Sequence, residues 1–398
     1  MSTLLLYDEQ ATIKHVESLA FNRNASSPGE TEALNYIEKE LVEANIDPKT
    51  EHFEWVGPMK ILLRVTYAII VIFLILLRAY LVIVVYFIIK NMFEKTRRMS
   101  ITKNEESKNL YAQISAKEDI PNRPIAIISA HYDSISTNIP YKLQVIVFFV
   151  YRLIVLFYGL MIIAISVIAV LDIIEIFPFS DDLIFIIIIT TISGAFVSIP
   201  ILYLVFTEKT SSGSIDNASG VAILIEMAKL FKKNPLEKID LLFLWAGAEE
   251  WGLKGSAKFC KTHFLSLKKK FDLNRSLNIN IDMLGTYIGL LDKTGLIIKR
   301  KLNENLNDIL EATAKQLQIP LVKYNKIIKP KSDYKTFRRY GRRARSKFQV
   351  SCFHSSNDSK YIHSLKDTPD KCSSENLNGC LNICHQALRS IDSRIGDI

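Results

Sequence analysis

Several protein classes are excluded by what this chain lacks. It has only five cysteines in 398 residues, an odd number. Three of them, Cys372, Cys380 and Cys384, precede His385. Their spacing matches no strong zinc pattern, so all five are read as reduced or buried thiols. No internal repeat, long linker or nucleic-acid-binding motif is present, and no nucleic-acid partner is expected. The opening stretch MSTLLLYDEQATIKH has no basic start and only a short apolar run, so no cleavable signal is expected.

What is present is apolar and basic. The sequence is 49% hydrophobic with a formal net charge of +9, and its mean hydropathy is +0.16. Apolar residues crowd into 61–89, 153–171 and 183–206. The last two runs are uncharged and about 19 and 24 residues long, the length a bilayer crossing needs. The sequence therefore predicts a multi-pass integral membrane protein with a lipid bilayer as partner. The run 143–207 reads as a transmembrane hairpin insertion. The run 59–98 reads as a membrane segment, either a hairpin or one tilted span, with Arg78 at its middle. Basic residues flank both segments, whereas the turn after 171 carries Asp172, Glu175, Asp181 and Asp182. By the positive-inside tendency the polar remainder of the chain faces the cytoplasm.

The polar remainder reads as one α/β domain made of 1–58, 99–142 and 208–398. Two helices are expected within 8–45 and strands at 109–115, 123–134, 239–246, 277–283 and 294–301. Further helices are expected at 218–231, 304–317 and 374–391. Short apolar strands alternating with helices imply a mostly parallel mixed sheet sandwiched between helices. In such sheets chemistry collects where strands end. The run IAIISA ends at His131 and Asp133, LLFLWAGA at Glu249 and Glu250, and LNINI at Asp282. Asp216 stands just ahead of a helix, and His363 lies late in the chain. Imidazoles with carboxylates form a donor set suited to zinc. Two adjacent glutamates in a turn let one bind metal while the other acts as a base.

The motifs AHYDS, DNASG, AEEWGLKGS, NIDMLG, SDYKTF and IHSLKDTPD occur in that order. With them the chain resembles the co-catalytic di-zinc aminopeptidases of the aminopeptidase Y and bacterial leucyl aminopeptidase family, peptidase clan MH. The resemblance covers 105–392 outside the 144–206 stretch, and 8–58 loosely. It implies a zinc exopeptidase-like fold with two Zn2+ per chain and a peptide substrate. His131 and Asp282 would hold one zinc and Glu250 and His363 the other, with Asp216 bridging. Glu249 would be the general base, Asp133 would orient His131, and Asp367 would do a similar job near His363. The implied function is a membrane-anchored zinc-dependent exopeptidase, an aminopeptidase. The alternatives are an inactive membrane scaffold of the same fold, and a zinc enzyme of carboxypeptidase or glutaminyl cyclase type. Tyr334 stands where such loops often carry histidine, and Ile362 where an oxyanion-stabilising tyrosine is common. Tyr361 and Tyr334 are the candidate replacements. The basic run 337–347 reads either as a contact for anionic lipid or acidic substrate or as a solvated loop. His15, His52, His263, His354 and His385 read as structural or surface residues.

Overall fold

The computed structural model describes residues 10–57, 69–70, 72–74, 105–135, 141–176, 180–192, 211–295, 298–326 and 332–395, with part of the side chains of 141–173 outside the description. The chain divides into two compact units. One unit comprises Met1–Trp55, Glu106–Ser136 and Lys209–Ile398; the other comprises Val56–Glu105 and Thr137–Glu208.

The first unit is built on a nine-stranded sheet in the order β1-β2-β4-β3-β5-β9-β6-β7, with β8 paired to β6. The strands are β1 (Lys49–Trp55), β2 (Glu105–Ile114), β3 (Ile125–His131), β4 (Asp240–Ala246), β5 (Leu277–Ile281), β6 (Gly289–Thr294), β7 (Arg300–Lys301), β8 (Val322–Lys326) and β9 (Gln349–Phe353). β4, β3, β5 and β9 run parallel, and β2 and β6 flank them antiparallel. Every residue of β3, β4 and β5 is buried. That is why β3 and β4 read as mostly apolar runs, while β5 also buries Asn278 and Asn280: helices cover both faces of a parallel sheet.

The helices of this unit are α1 (Ala11–Ser18) and α2 (Pro28–Glu43), then, after the other unit's α3 (Tyr141–Ile173), α4 (Ser219–Lys233), α5 (Lys254–Lys270), α6 (Leu306–Gln316), α7 (Tyr334–Arg343) and α8 (Ser374–Ser393). α4 packs on β3 and β4 and is flanked by α1, α2 and α8. Elsewhere on the sheet, Ile125, Ile127, Leu242 and Leu244 form a core with Phe259 and Phe264 of α5 and Phe337 of α7. The expected strand over 294–301 is divided: Thr294 ends β6 and Arg300–Lys301 form β7, and the two pair antiparallel. Gly295, directly after β6, sits at φ +143°, which glycine adopts freely.

The second unit contains α3 and a helical stretch at 181–192. Among the described residues no helix is long and apolar enough to cross a membrane. The run 61–89 lies outside the described residues apart from 69–70 and 72–74, and 183–206 is described only as far as 192. The expectation of a multi-pass integral membrane protein with a cytoplasmic-facing domain and inserted transmembrane helices is corrected accordingly. An apolar run satisfies the length condition for a span, but crossing also needs a helix that is apolar over the full hydrocarbon thickness of about 30 Å.

Candidate metal centre

The parallel block sets the site. His131 ends β3, and β3 pairs in register with β4 up to Ala246. The Glu249–Glu250 turn therefore starts beside the end of β3. β5 ends at Ile281, one residue before Asp282. The wide turn Ser214–Ala218 carries Asp216 into the start of α4. These strand ends and turns bring together two groups of potential ligands: His131, Asp216 and Asp282, and Asp216, Glu250 and His363, the donor atoms of each group within 4.8 Å of one another.

Asp216 belongs to both groups through different oxygens. Its Oδ1 lies 3.1 Å from His131 Nε2, and its Oδ2 lies 3.3 Å from His363 Nε2. His131 Nε2 is also 3.5 Å from Asp282 Oδ1, and His363 Nε2 is 3.0 Å from Glu250 Oε1. Glu249 is buried beside them at 6% exposure, so it faces neighbours rather than water.

The electrostatics reflect crowded, desolvated carboxylates. Burial pushes Glu249 well above the usual carboxylate range; His131 opposes the rise, while Glu250, Asp333 and Asp282 add to it. Burial lifts Glu250 to about 7 against the pull of His363. Burial would make His363 less basic, but Glu250 and Asp216 outweigh it and raise His363 to about 10. His131 is likewise raised despite burial, by Glu249, Asp133, Asp216 and Asp282. Asp216 is held below its ordinary value, since both imidazoles outweigh its desolvation. Imidazole nitrogens and carboxylate oxygens converging in two buried groups with one shared aspartate match the donor chemistry of zinc.

Backbone locks hold these side chains. Asp133 Oδ1 accepts from Glu249 N at 2.9 Å and Oδ2 from Glu250 N at 3.2 Å. Its backbone carbonyl, at 3.0 Å, is the partner of His131 Nδ1, whereas the carboxylate is 3.6 Å from that nitrogen. The Asp133 carboxylate thus secures the glutamate turn more directly than it orients His131. Asn217 donates through Nδ2 to Ile281 O at 3.0 Å, and its Oδ1 accepts from Gly220 N at 3.0 Å and Met283 N at 3.2 Å. Ser219 Oγ accepts from Leu284 N at 3.0 Å. The DNASG turn is in this way tied to the end of β5. Asp367 accepts from Ile215 N at 2.6 Å and Asp216 N at 3.3 Å. Its carboxylate holds the turn that carries Asp216, the residue common to both groups.

Other expectations changed. Tyr334 is fully buried in the core formed with α5 and α7. Tyr361 is half-buried, with Lys360 Nζ 4.8 Å from its ring centre. His15, His354 and His385 are all buried. His15 links α1 to Glu226 of α4 at 2.9 Å, and His354 Nδ1 meets Tyr324 Oη at 2.9 Å. Two polar groups near the site went unnoticed in the sequence. Asp333, in SDYKTF, is fully buried, and its carboxylate oxygens have no partner within hydrogen-bonding geometry among the described residues. Arg23, in the N-terminal AFNRNASS stretch, is fully buried beside the site. An arginine in a polar loop gives no sequence signal of burial.

Comparison with known proteins agrees with this picture. Residues 198–388 match Peptidase family M28. That segment contains Asp216, Glu249, Glu250, Asp282 and His363, but not His131 or Asp133. Aminopeptidase YwaD of Bacillus subtilis (strain 168) is 40% identical over 77 residues, 19% of this chain and 16% of that protein. The match thus spans about one sixth of that curated relative's length. Among solved structures, the aminopeptidase from Aneurinibacillus sp. strain AM-1 aligns with a TM-score of 0.56 at 15% identity, over 96% of this chain and 93% of that one. BSAP, a zinc aminopeptidase from Bacillus subtilis, gives 0.55 at 13% identity, over 97% and 96%. A glutaminyl cyclase from Fimbriiglobus ruber gives 0.56 at 13%, over 98% and 97%. At such identities these structures speak for the fold alone. The solved structures share the fold of this chain, and its residues 198–388 are similar to Peptidase family M28.

Proposed function

We propose that the protein is a zinc-dependent exopeptidase that removes N-terminal residues from peptides, using two zinc ions. The observation that carries this reading is Asp216, whose two oxygens face two separate imidazole–carboxylate groups while Glu249 stands beside them outside both. His131 and Asp282 would hold one ion, Glu250 and His363 the other, and Asp216 both. When bound, zinc supplies positive charge that polarises a scissile carbonyl, acidifies water and offsets the repulsion among these carboxylates.

The chain's own residues supply the rest. Glu249 takes a proton from the attacking water on its carboxylate and delivers it to the leaving amine. The Asp133 carboxylate keeps Glu249 in place through its backbone amide. The locks from Asn217, Ser219 and Asp367 fix Asp216 and Asp282 relative to each other, so little reorganisation is needed when substrate arrives.

The test is zinc analysis of purified protein together with a panel of aminoacyl fluorogenic substrates, C-terminally exposed peptides and N-terminal glutaminyl peptides. The reading expects two zincs per chain and amino-acid release from the aminoacyl substrates, abolished by chelation and restored by zinc. Full activity after exhaustive metal removal would overturn it. Cyclisation of the glutaminyl peptides without hydrolysis would reassign the reaction.

A further inference from the structure

The buried guanidinium of Arg23 lies outside both ligand groups, yet it touches the backbone on either side of them. The side chain has 0% exposure, so every donor must find a protein partner. Nε donates to Tyr132 O at 2.8 Å. Nη1 donates to Leu19 O, to Phe21 O at 3.1 Å and to Ser212 O at 2.8 Å. Nη2 donates to Gly213 O at 2.8 Å. The Arg23 backbone pairs with Ser134 both ways, its N–H donating to Ser134 Oγ at 3.0 Å and its carbonyl accepting from Ser134 N at 3.1 Å. Tyr132 immediately follows His131, and Gly213 lies three residues before Asp216.

We infer that Arg23 is a positioning residue that fastens the turn carrying Asp216 to the end of β3 carrying His131, so that the two ligands meet at one ion. This rests on the metallopeptidase reading above. Between Ser136 and Lys209 the chain leaves this unit and returns. The β3 end and the Asp216 turn are therefore distant in sequence, and only cross-links within the unit can hold them in register. A guanidinium fork suits that task because several donors diverge from one rigid plane, which a lysine ammonium does not reproduce. Burial lowers the pKa of Arg23 to about 10, with Asp367, Asp133 and Asp216 opposing the fall, so the group stays charged at neutral pH. Gly213 completes the arrangement. It sits at φ +57°, and a Cβ there would lie 2.9 Å from Arg23 Nη2 and 2.5 Å from Ser134 Cβ.

The experiment uses the full chain with two variants, Arg23→Lys and Gly213→Ala. The second disturbs the fork while keeping its charge. Three quantities are measured: zinc affinity by competition with a chelator, thermal unfolding of the chelator-treated protein, and kcat and KM separately. The expected result is a loss of zinc affinity of about 10- to 100-fold in both variants, the usual effect of disturbing groups that orient metal ligands. It should come with lower kcat, KM within about twofold and a folded metal-free protein. Zinc affinity within about twofold of wild type in either folded variant would overturn the inference. Failure of both variants to fold would also overturn it, since Arg23 would then be a general structural support. A wild-type protein that neither binds zinc nor cleaves peptides would instead defeat the metallopeptidase reading itself.

Discussion

Removing the Asp133 carboxylate separates two accounts of what that residue does. Its oxygens accept from the amides of Glu249 and Glu250 at 2.9 and 3.2 Å, and the side chain is fully buried. Asp133→Ala leaves both amides without these acceptors in a place water does not reach. A hydrogen bond to a charged group contributes about 1.5–3 kcal/mol, and losing one partner exposes the full desolvation cost of the other. Two such bonds give an expected loss of about 3–6 kcal/mol in the stability of the metal-free protein. Asp133→Asn keeps one acceptor but turns an amide N–H toward the other backbone N–H, so an intermediate loss is expected. Turnover should fall by about 100-fold or more in Asp133→Ala, because displacing a catalytic group by about 1 Å has that effect. The assays are urea unfolding of chelator-treated protein and steady-state kinetics after zinc is restored. If Asp133 served only to orient His131, zinc affinity would drop while metal-free stability changed by less than about 1 kcal/mol. That result would refute the argument.

Three further outcomes follow from the same structure. Glu249→Gln should keep its zinc and lose about 10²–10⁴ in turnover, the usual contribution of a general base; a fully active variant would remove Glu249 from that role. His385 is packed 4.7 Å from the Phe231 ring, and burial, with Arg389 adding to it, lowers its pKa from 6.5 to about 4. The unfolded chain therefore binds a proton that the folded one refuses, and this contribution is whole above pH 6.5 and lost as pH falls toward 4. At about 1.4 kcal/mol per pH unit it amounts to about 3 kcal/mol. His385→Leu should flatten the pH dependence of urea stability in that window, and an unchanged slope would count against it. Gly255→Ala places a Cβ 2.3 Å from Asn109 Oδ1 and 2.4 Å from Gly247 O. The clash should cost about 1–3 kcal/mol or more, read as a lowered urea midpoint, and would loosen the glutamate turn that Gly247 begins.

Much of this protein was legible from sequence because its chemistry is local to strand ends. Fully buried parallel strands are mostly apolar, so the carboxylates and histidines just beyond them stand out against that background. His131, Glu249, Glu250 and Asp282 could be identified in this way, and the DNASG and IHSLKDTPD motifs marked Asp216 and His363. The division of 294–301 between β6 and β7 was missed because LIIKRK has the composition of a strand, while the pairing of Thr294 with Arg300 is decided by the fold. The membrane reading rested on the length of apolar runs, whereas no helix among the described residues is long and apolar enough to cross a membrane. Most of what holds the site together could be decided only by tertiary structure. The Asp133 carboxylate grips the amides of residues 116 and 117 positions away, and Asp367 grips that of Ile215 from 152 positions away. Arg23 reaches Ser212 and Gly213 across 189 and 190 positions. Each of these bonds ends on a backbone amide or carbonyl, groups that nearly every residue type carries. The sequence therefore shows the side chain that reaches out, and the fold alone determines which backbone it meets.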